Sequence, residues 1–281
     1  MTSSTEESVR RSARVLAAFM SQAEAQGFAG GFTLAPNAFL GEWATRSAAR
    51  AKLTPGYSAP RVEPMPPSTI EHTVNLSAHP LFQQIYPNAE FAMVELGKLI
   101  AFQHWMDTDV SDGVHAAGAQ GRPDDAEVLA KCLPLDIIPP SLMRWQHSGP
   151  GQIMICSLNN TLGFHGPQYN PATGEIRFGV AAGANLMLVR EHAGRYILAN
   201  GYHRAWWLRS RGVEMVPVVL KRVQRHEVTS PGMVSIDQIF SDRPPLVDDF
   251  LDETISCSVD VRSMVRVVKI SAEVLVVPRL L

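Results

Sequence analysis

The sequence predicts an α+β protein. Three observations lead there. Apolar residues near the N-terminus recur at helical spacing, short β-rich runs bounded by Asn, Gly and Pro turns fill the middle, and the C-terminal tail is β-rich again. The length of 281 residues suggests about two domains or one large one. With 46% hydrophobic and 19% charged residues the chain is a folded one, not a disordered one.

From the N-terminus, Val9, Ala13, Leu16, Ala17 and Met20 recur at three and four, so a helix is expected over 5–26, punctuated by Gly27, Gly30 and Gly31. A second helix is expected over 41–52. Five prolines between Thr54 and Pro67 read as an extended linker, and a domain boundary is placed near residue 70. Residues 91–96 read as a strand and 124–135 as a helix with acidic residues in its first turn, where they suit the helix dipole. Strands are expected at 152–158, 162–166 and 175–180, separated by Asn159-Asn160 and by the turn at Asn170-Pro171. A hairpin follows over 185–198, turning at His192-Ala193-Gly194. A short helix at 204–211 closes at Gly212, and 216–223 is a strongly apolar strand. Further β-rich stretches are expected at 264–270 and 273–277.

Composition excludes several function classes. Lys and Arg total 25 against 27 Asp and Glu, a net charge of -2, so the chain is not a generally basic nucleic-acid coat. Three cysteines without a CxxC make no disulfide framework and imply reduced thiols in a cytoplasm. The apolar run 15–20 is too short for a signal peptide, and no stretch approaches the ~20 residues that span a bilayer, so no membrane association is expected. His147, His165 and Cys156 lack zinc-ligand spacing, and no P-loop, nucleophile elbow or zincin motif occurs.

The stretch from Tyr196 to Leu220 carries the most information. A strand ends at Asn200, Gly201 permits a tight turn, and Tyr202, His203 and Arg204 open a helix. A helix start presents N–H groups outside the helix ladder and a positive dipole end, which suit a phosphate. His203 and Arg204 add donors aimed at the same anion.

Asn200, Gly201, His203, Arg204, Gly212 and Val216-Pro217-Val218 together resemble the ParB/sulfiredoxin superfamily. A weaker likeness covers Val94 to Gln103, the family's first strand and turn. The resemblance implies a ParB/sulfiredoxin-like core at 71–225 that carries a β-rich insertion at about 136–190. An N-terminal helical and Pro-rich region would occupy 1–70, and a β-rich extension 226–281. It also implies a nucleotide-phosphate pocket for ATP or CTP, with hydrolysis or phosphoryl transfer as its chemistry. Asn200, Gly201, Tyr202, His203, Arg204, Gln103 and His104 would line that pocket. His203 and Arg204 would stabilise the phosphates, and Asp107 and Asp109 would serve as base or as Mg2+ ligands.

This chain departs from the family where the sulfiredoxin-like branch has a nucleophilic Cys, since Tyr202 stands there. The partition-protein branch's Glu is also missing. Two further readings stay open. One is a DNA-binding protein or nuclease that uses Arg209, Arg211, Lys221, Arg222 and Arg225, where the local sequence is basic. The other is a non-catalytic adaptor, with a protein partner or a second copy of the chain as its target.

Overall fold

A computed structural model describes residues 10–109, 121–137, 144–149, 152–157, 163–173, 175–181, 184–228, 233–262 and 266–271. The expected strand at 273–277 and the turn at Asn159-Asn160 lie outside them. The protein is α+β, with helices beside mixed and antiparallel sheets. Contacts divide it into two units, one of residues 1–137 with 185–263, the other of 138–184 with 264–281. Residues 1–70 and 226–263 thus share a unit with the strand–turn–helix stretch.

In chain order the first unit begins with β1 (Arg10–Val15), α1 (Gln22–Gly31), α2 (Pro36–Arg50), β2 (Val62–Pro64), α3 (Ile70–Ala78) and α4 (Pro80–Ile85). β3 (Glu90–Glu95), β4 (Ile100–Ala101), β5 (Trp105–Asp107) and α5 (Asp125–Cys132) follow. The second unit holds β6 (Arg144–Gly149), β7 (Gln152–Ser157), β8 (Gly163–Asn170) and β9 (Glu175–Ala181). The chain returns to the first unit with β10 (Leu188–His192), β11 (Arg195–Asn200), α6 (Tyr202–Arg209), β12 (Met215–Arg222), α7 (Ile236–Ile239) and β13 (Cys257–Arg262). β14 (Arg266–Ser271) belongs to the second unit, where it pairs with β7, β7 pairs with β6, and β8 with β9, all antiparallel.

The main sheet of the first unit runs β2-β3-β12-β10-β11-β4. β10 and β11 form the expected hairpin, with Gly194 at φ 75° in its turn. The chain then passes through α6 and returns as β12, parallel to β10 and antiparallel to β3. Val94, Ile197, Leu198, Val216, Val218 and Val219 are buried, as near-continuous apolar strands covered on both faces require. Trp207 and Leu208 of α6 are fully buried as well.

The expected helix over 5–26 is corrected. Arg10–Val15 form strand β1, which sits between β13 and β5 in a three-stranded sheet, and residues 5–9 lie outside the described ones. Ala13, Val15 and Ala17 alternate as well as they fit helical spacing, and pairing on both strand edges decides between the two periods. The true helix starts at Gln22, after Ser21, which forms a reciprocal capping box with Glu24. α1 and α2 cover this small sheet, with Phe28, Ala29 and Phe39 packed on Ala13 and Val15. α2 begins five residues earlier than expected because Pro36 sits at its first turn, where its missing N–H costs nothing. The Pro-rich stretch contributes a strand too, since β2 adds to the edge of the main sheet through β3.

A buried ion pair closes the same unit. Asp249 is 5% exposed and receives Arg243 through both guanidinium nitrogens, at 2.5 and 2.9 Å, and the Leu246 N–H at 2.7 Å. Removing one partner of such a pair leaves an uncompensated buried charge. Asp249→Ala is expected to lower unfolding stability by about 3 kcal/mol, read as a fall in the urea midpoint.

Candidate functional site

The corner where β11 becomes α6 is built around Gly201, which adopts φ 100°, a conformation L side chains rarely take. A Cβ here would stand 3.1 Å from Met187 Cγ and 3.4 Å from Arg204 Nη2. Asn200 tightens the turn. Its Oδ1 accepts the Gly201 N–H at 2.9 Å, and its Nδ2 donates to the Leu186 carbonyl at 2.9 Å. Asn200 is therefore a turn-fixing residue. No side chain caps the first turn of α6, unlike α1 and α5, whose starts are closed by Ser21 and Asp124.

Tyr202 opens α6. Its hydroxyl is buried, donates to the Leu198 carbonyl and accepts the Phe102 N–H, tying the turn after β4 to the start of α6. Burial holds its phenol well above the ordinary value of 10.0, so it stays protonated. The Tyr202 hydroxyl is thus engaged within the protein, which leaves only the Tyr202 backbone N–H for the expected phosphate.

Arg204 is 5% exposed. Its Nη1 donates to the carbonyls of Lys131 at 2.9 Å and Asn185 at 2.8 Å, with Cys132 at 3.4 Å. It thus takes up the open carbonyls at the C-terminal end of α5 and of the segment entering β10. Nη2 and Nε make no hydrogen bond among the described residues. Burial pushes the guanidinium below its ordinary value, and only the Cys132 thiol and the Tyr86 phenol act against that; no described carboxylate does. A guanidinium stays charged even so. A positive charge is therefore held inside the protein with one nitrogen anchored on neutral oxygens.

His203 joins this corner to β5. Its Nδ1–H donates to the Asp107 carbonyl at 2.8 Å, and burial lowers its pKa, so the ring is neutral. The Asp107 carboxylate points elsewhere, to Arg11 Nη1 at 3.1 Å, and Asp109 accepts the Ser12 N–H at 2.7 Å. Both carboxylates are thus held on β1, Asp107 beside a cation. This donor set does not fit Mg2+, which needs its carboxylates facing the phosphates. Among the described residues there is no group of three His, Cys, Asp or Glu that could hold a metal.

His104 does not join the corner. It is buried with Nδ1 at 3.7 Å from Glu24 Oε1 on α1, and its backbone carbonyl accepts the Leu16 N–H. Gln103, its neighbour, is half-buried in the same turn.

Three residues of the basic run stand beside acidic side chains and two lie over aromatic rings. Arg209 pairs with Asp248, Arg222 with Glu90 at 2.5 Å, and Lys221 lies 3.9 Å from Glu227. Arg211 stacks over Trp207 at 4.4 Å and Arg225 over Phe240 at 4.7 Å. Asp248 and Glu90, the counter-charges of Arg209 and Arg222, arrive from segments far away in the sequence.

Buried cysteines are inert thiols. Cys132 is pushed up to about 12 and Cys257 to about 11 by burial. No model of a known protein family, no curated protein and no solved structure matches the chain. Among the described residues no helix is long and apolar enough to cross a membrane.

The two buried histidines generate a pH dependence. Burial lowers the pKa of His104 and His203 below 6.5, so both are neutral in the fold. The unfolded chain then takes up more protons as pH falls through about 6.5, and the stability present above that pH is lost below it. The urea midpoint is expected to drop between pH 7.5 and pH 5.5, and to drop less in a variant carrying His104→Gln and His203→Gln. Equal slopes in both proteins would contradict the assignment.

Proposed function

We propose that the chain is a ParB/sulfiredoxin-like protein that binds a nucleoside triphosphate, ATP or CTP, with its phosphates at the start of α6. The observation that carries this reading is Arg204, a guanidinium in a residue 5% exposed, of which Nη1 alone is hydrogen-bonded among the described residues and which no described carboxylate faces. A phosphate would supply a counter-charge through Nη2 and Nε. Two further features support it. Gly201 in its left-handed conformation lets the backbone approach a ligand closely, and the leading N–H groups of α6 carry the positive end of the helix dipole. The succession α5, hairpin β10–β11, α6 and β12 in one mixed sheet is compatible with the motif order that suggested the superfamily.

The roles then divide. Gly201 makes the corner, and Asn200 and Tyr202 fix it. Arg204 provides the charge while α5 holds its other nitrogen in place. His203, neutral and oriented by Asp107, borders the ligand. The reading stops at binding, because Asp107 and Asp109, the carboxylates expected to assist hydrolysis or transfer, are engaged on β1. DNA binding or cleavage through Arg209, Arg211, Lys221, Arg222 and Arg225 is the second reading; Arg209, Lys221 and Arg222 stand beside acidic side chains, while Arg211 and Arg225 lie over aromatic rings and keep their charge.

A ligand that binds only the folded form raises its melting temperature. Thermal melts of the full chain are expected to rise with millimolar ATP or CTP, tested with and without Mg2+, and to remain unchanged with the bare nucleoside. Arg204→Lys keeps the charge but cannot bridge the α5 carbonyls and an anion together, and is expected to weaken nucleotide binding at least about tenfold. No shift with any triphosphate would overturn the reading.

A further inference from the structure

A concavity in the first unit includes none of the residues of the Gly201 corner. It is a cavity of about 240 Å3 between the N-terminal half of α5, the start of β12 and the turn before α3. Met93, Val128, Met215 and Pro217 give its lining an apolar part. An apolar cavity of ~150 Å3 accepts a benzene-sized molecule, so this space suits a ligand of amino-acid size and is too small for a nucleotide.

Its polar groups carry both signs. Arg122 lines it with Ser68, and both can donate to a carboxylate, while the Thr69 hydroxyl already donates to the Pro66 carbonyl at 2.7 Å. Asp125 and Glu214 line it as well and offer acceptors for an ammonium group. No ion pair joins Arg122 to either acid among the described residues, and all three are exposed, so their charges face solvent rather than one another. An apolar lining with a few polar groups is the usual composition of a small-molecule site. A ligand carrying both signs would meet a partner for each, whereas a ligand of one sign would leave the other without one.

We propose that this cavity binds a small zwitterion bearing an apolar side chain, of the amino-acid class. The side chain would fill the space over Met93 and Val128, the carboxylate would face Arg122 and Ser68, and the ammonium group would face Asp125 and Glu214. The proposal is independent of nucleotide binding at Arg204.

The test is calorimetric titration of the full chain with L-leucine, L-methionine and L-phenylalanine. Two analogues accompany them, isoamylamine without the carboxylate and 4-methylpentanoate without the ammonium group. At least one amino acid is expected to bind, with each of its singly charged analogues weaker by about tenfold or more, since charge-assisted hydrogen bonds are lost. Val128→Trp fills the space and is expected to abolish binding. Glu214→Gln, at an exposed position that does not threaten folding, is expected to weaken the amino acid while leaving 4-methylpentanoate unchanged. Absence of binding by all three amino acids would overturn the proposal. So would analogues that bind as tightly as the parent, or Glu214→Gln without effect.

Discussion

The first unit depends on the burial of one positive charge. Arg204 sits where the end of α5, the approach to β10 and the start of α6 meet, and its Nη1 is held by carbonyls from the first two. Main-chain bonds reinforce the same junction. The Met187 N–H donates to the Cys132 carbonyl at 2.8 Å, and the Asn185 N–H to the Ile137 carbonyl at 2.7 Å. Helix ends leave carbonyls without intrahelical partners, and a buried end needs donors from elsewhere. Arg204 supplies one such donor to α5. It thereby anchors a helix and presents its remaining nitrogens beside the turn at Gly201.

A second tie between the same helices passes through Trp207. Lys131 of α5 stands 4.6 Å from its ring, and Arg211, beyond the end of α6, stands 4.4 Å from it. Lys131 also reaches Glu127 one turn back at 3.7 Å. On the opposite side, Tyr202 couples the start of α6 to the turn after β4, and His203 couples it to β5. The start of α6 is therefore constrained from three directions. Such constraint is what a rigid binding corner requires, since donors already in place lose little freedom when a ligand arrives.

Much of the main sheet was legible because its turns are chemically explicit. The hairpin at His192-Ala193-Gly194, the turn at Gly201 and the helix stop at Gly212 all fall where glycines adopt positive φ. β1 was not legible, because Ala13, Val15 and Ala17 satisfy period two while Val9, Ala13, Leu16 and Met20 satisfy period three and four. Only the flanking strands β13 and β5, distant in sequence, decide between them. The partners of Arg204 were hidden for a different reason. Backbone carbonyls of Lys131, Cys132 and Asn185 accept its hydrogen bonds, and every residue has such a carbonyl. The pairing of Arg209 with Asp248 and of Arg222 with Glu90 was equally invisible, as each joins segments far apart along the chain. The cavity beside α5 had no motif, since its lining is assembled from four separate segments.

The central claim is that the guanidinium of Arg204 receives a phosphate. The most direct measurement is the 15N resonance of its side-chain Nε–H in the labelled full chain, followed during titration with CTP and with ATP. The account predicts that this resonance moves in step with the binding curve and that its N–H exchanges more slowly with solvent in the complex. A nucleotide that binds measurably while the Arg204 resonance stays fixed would contradict it.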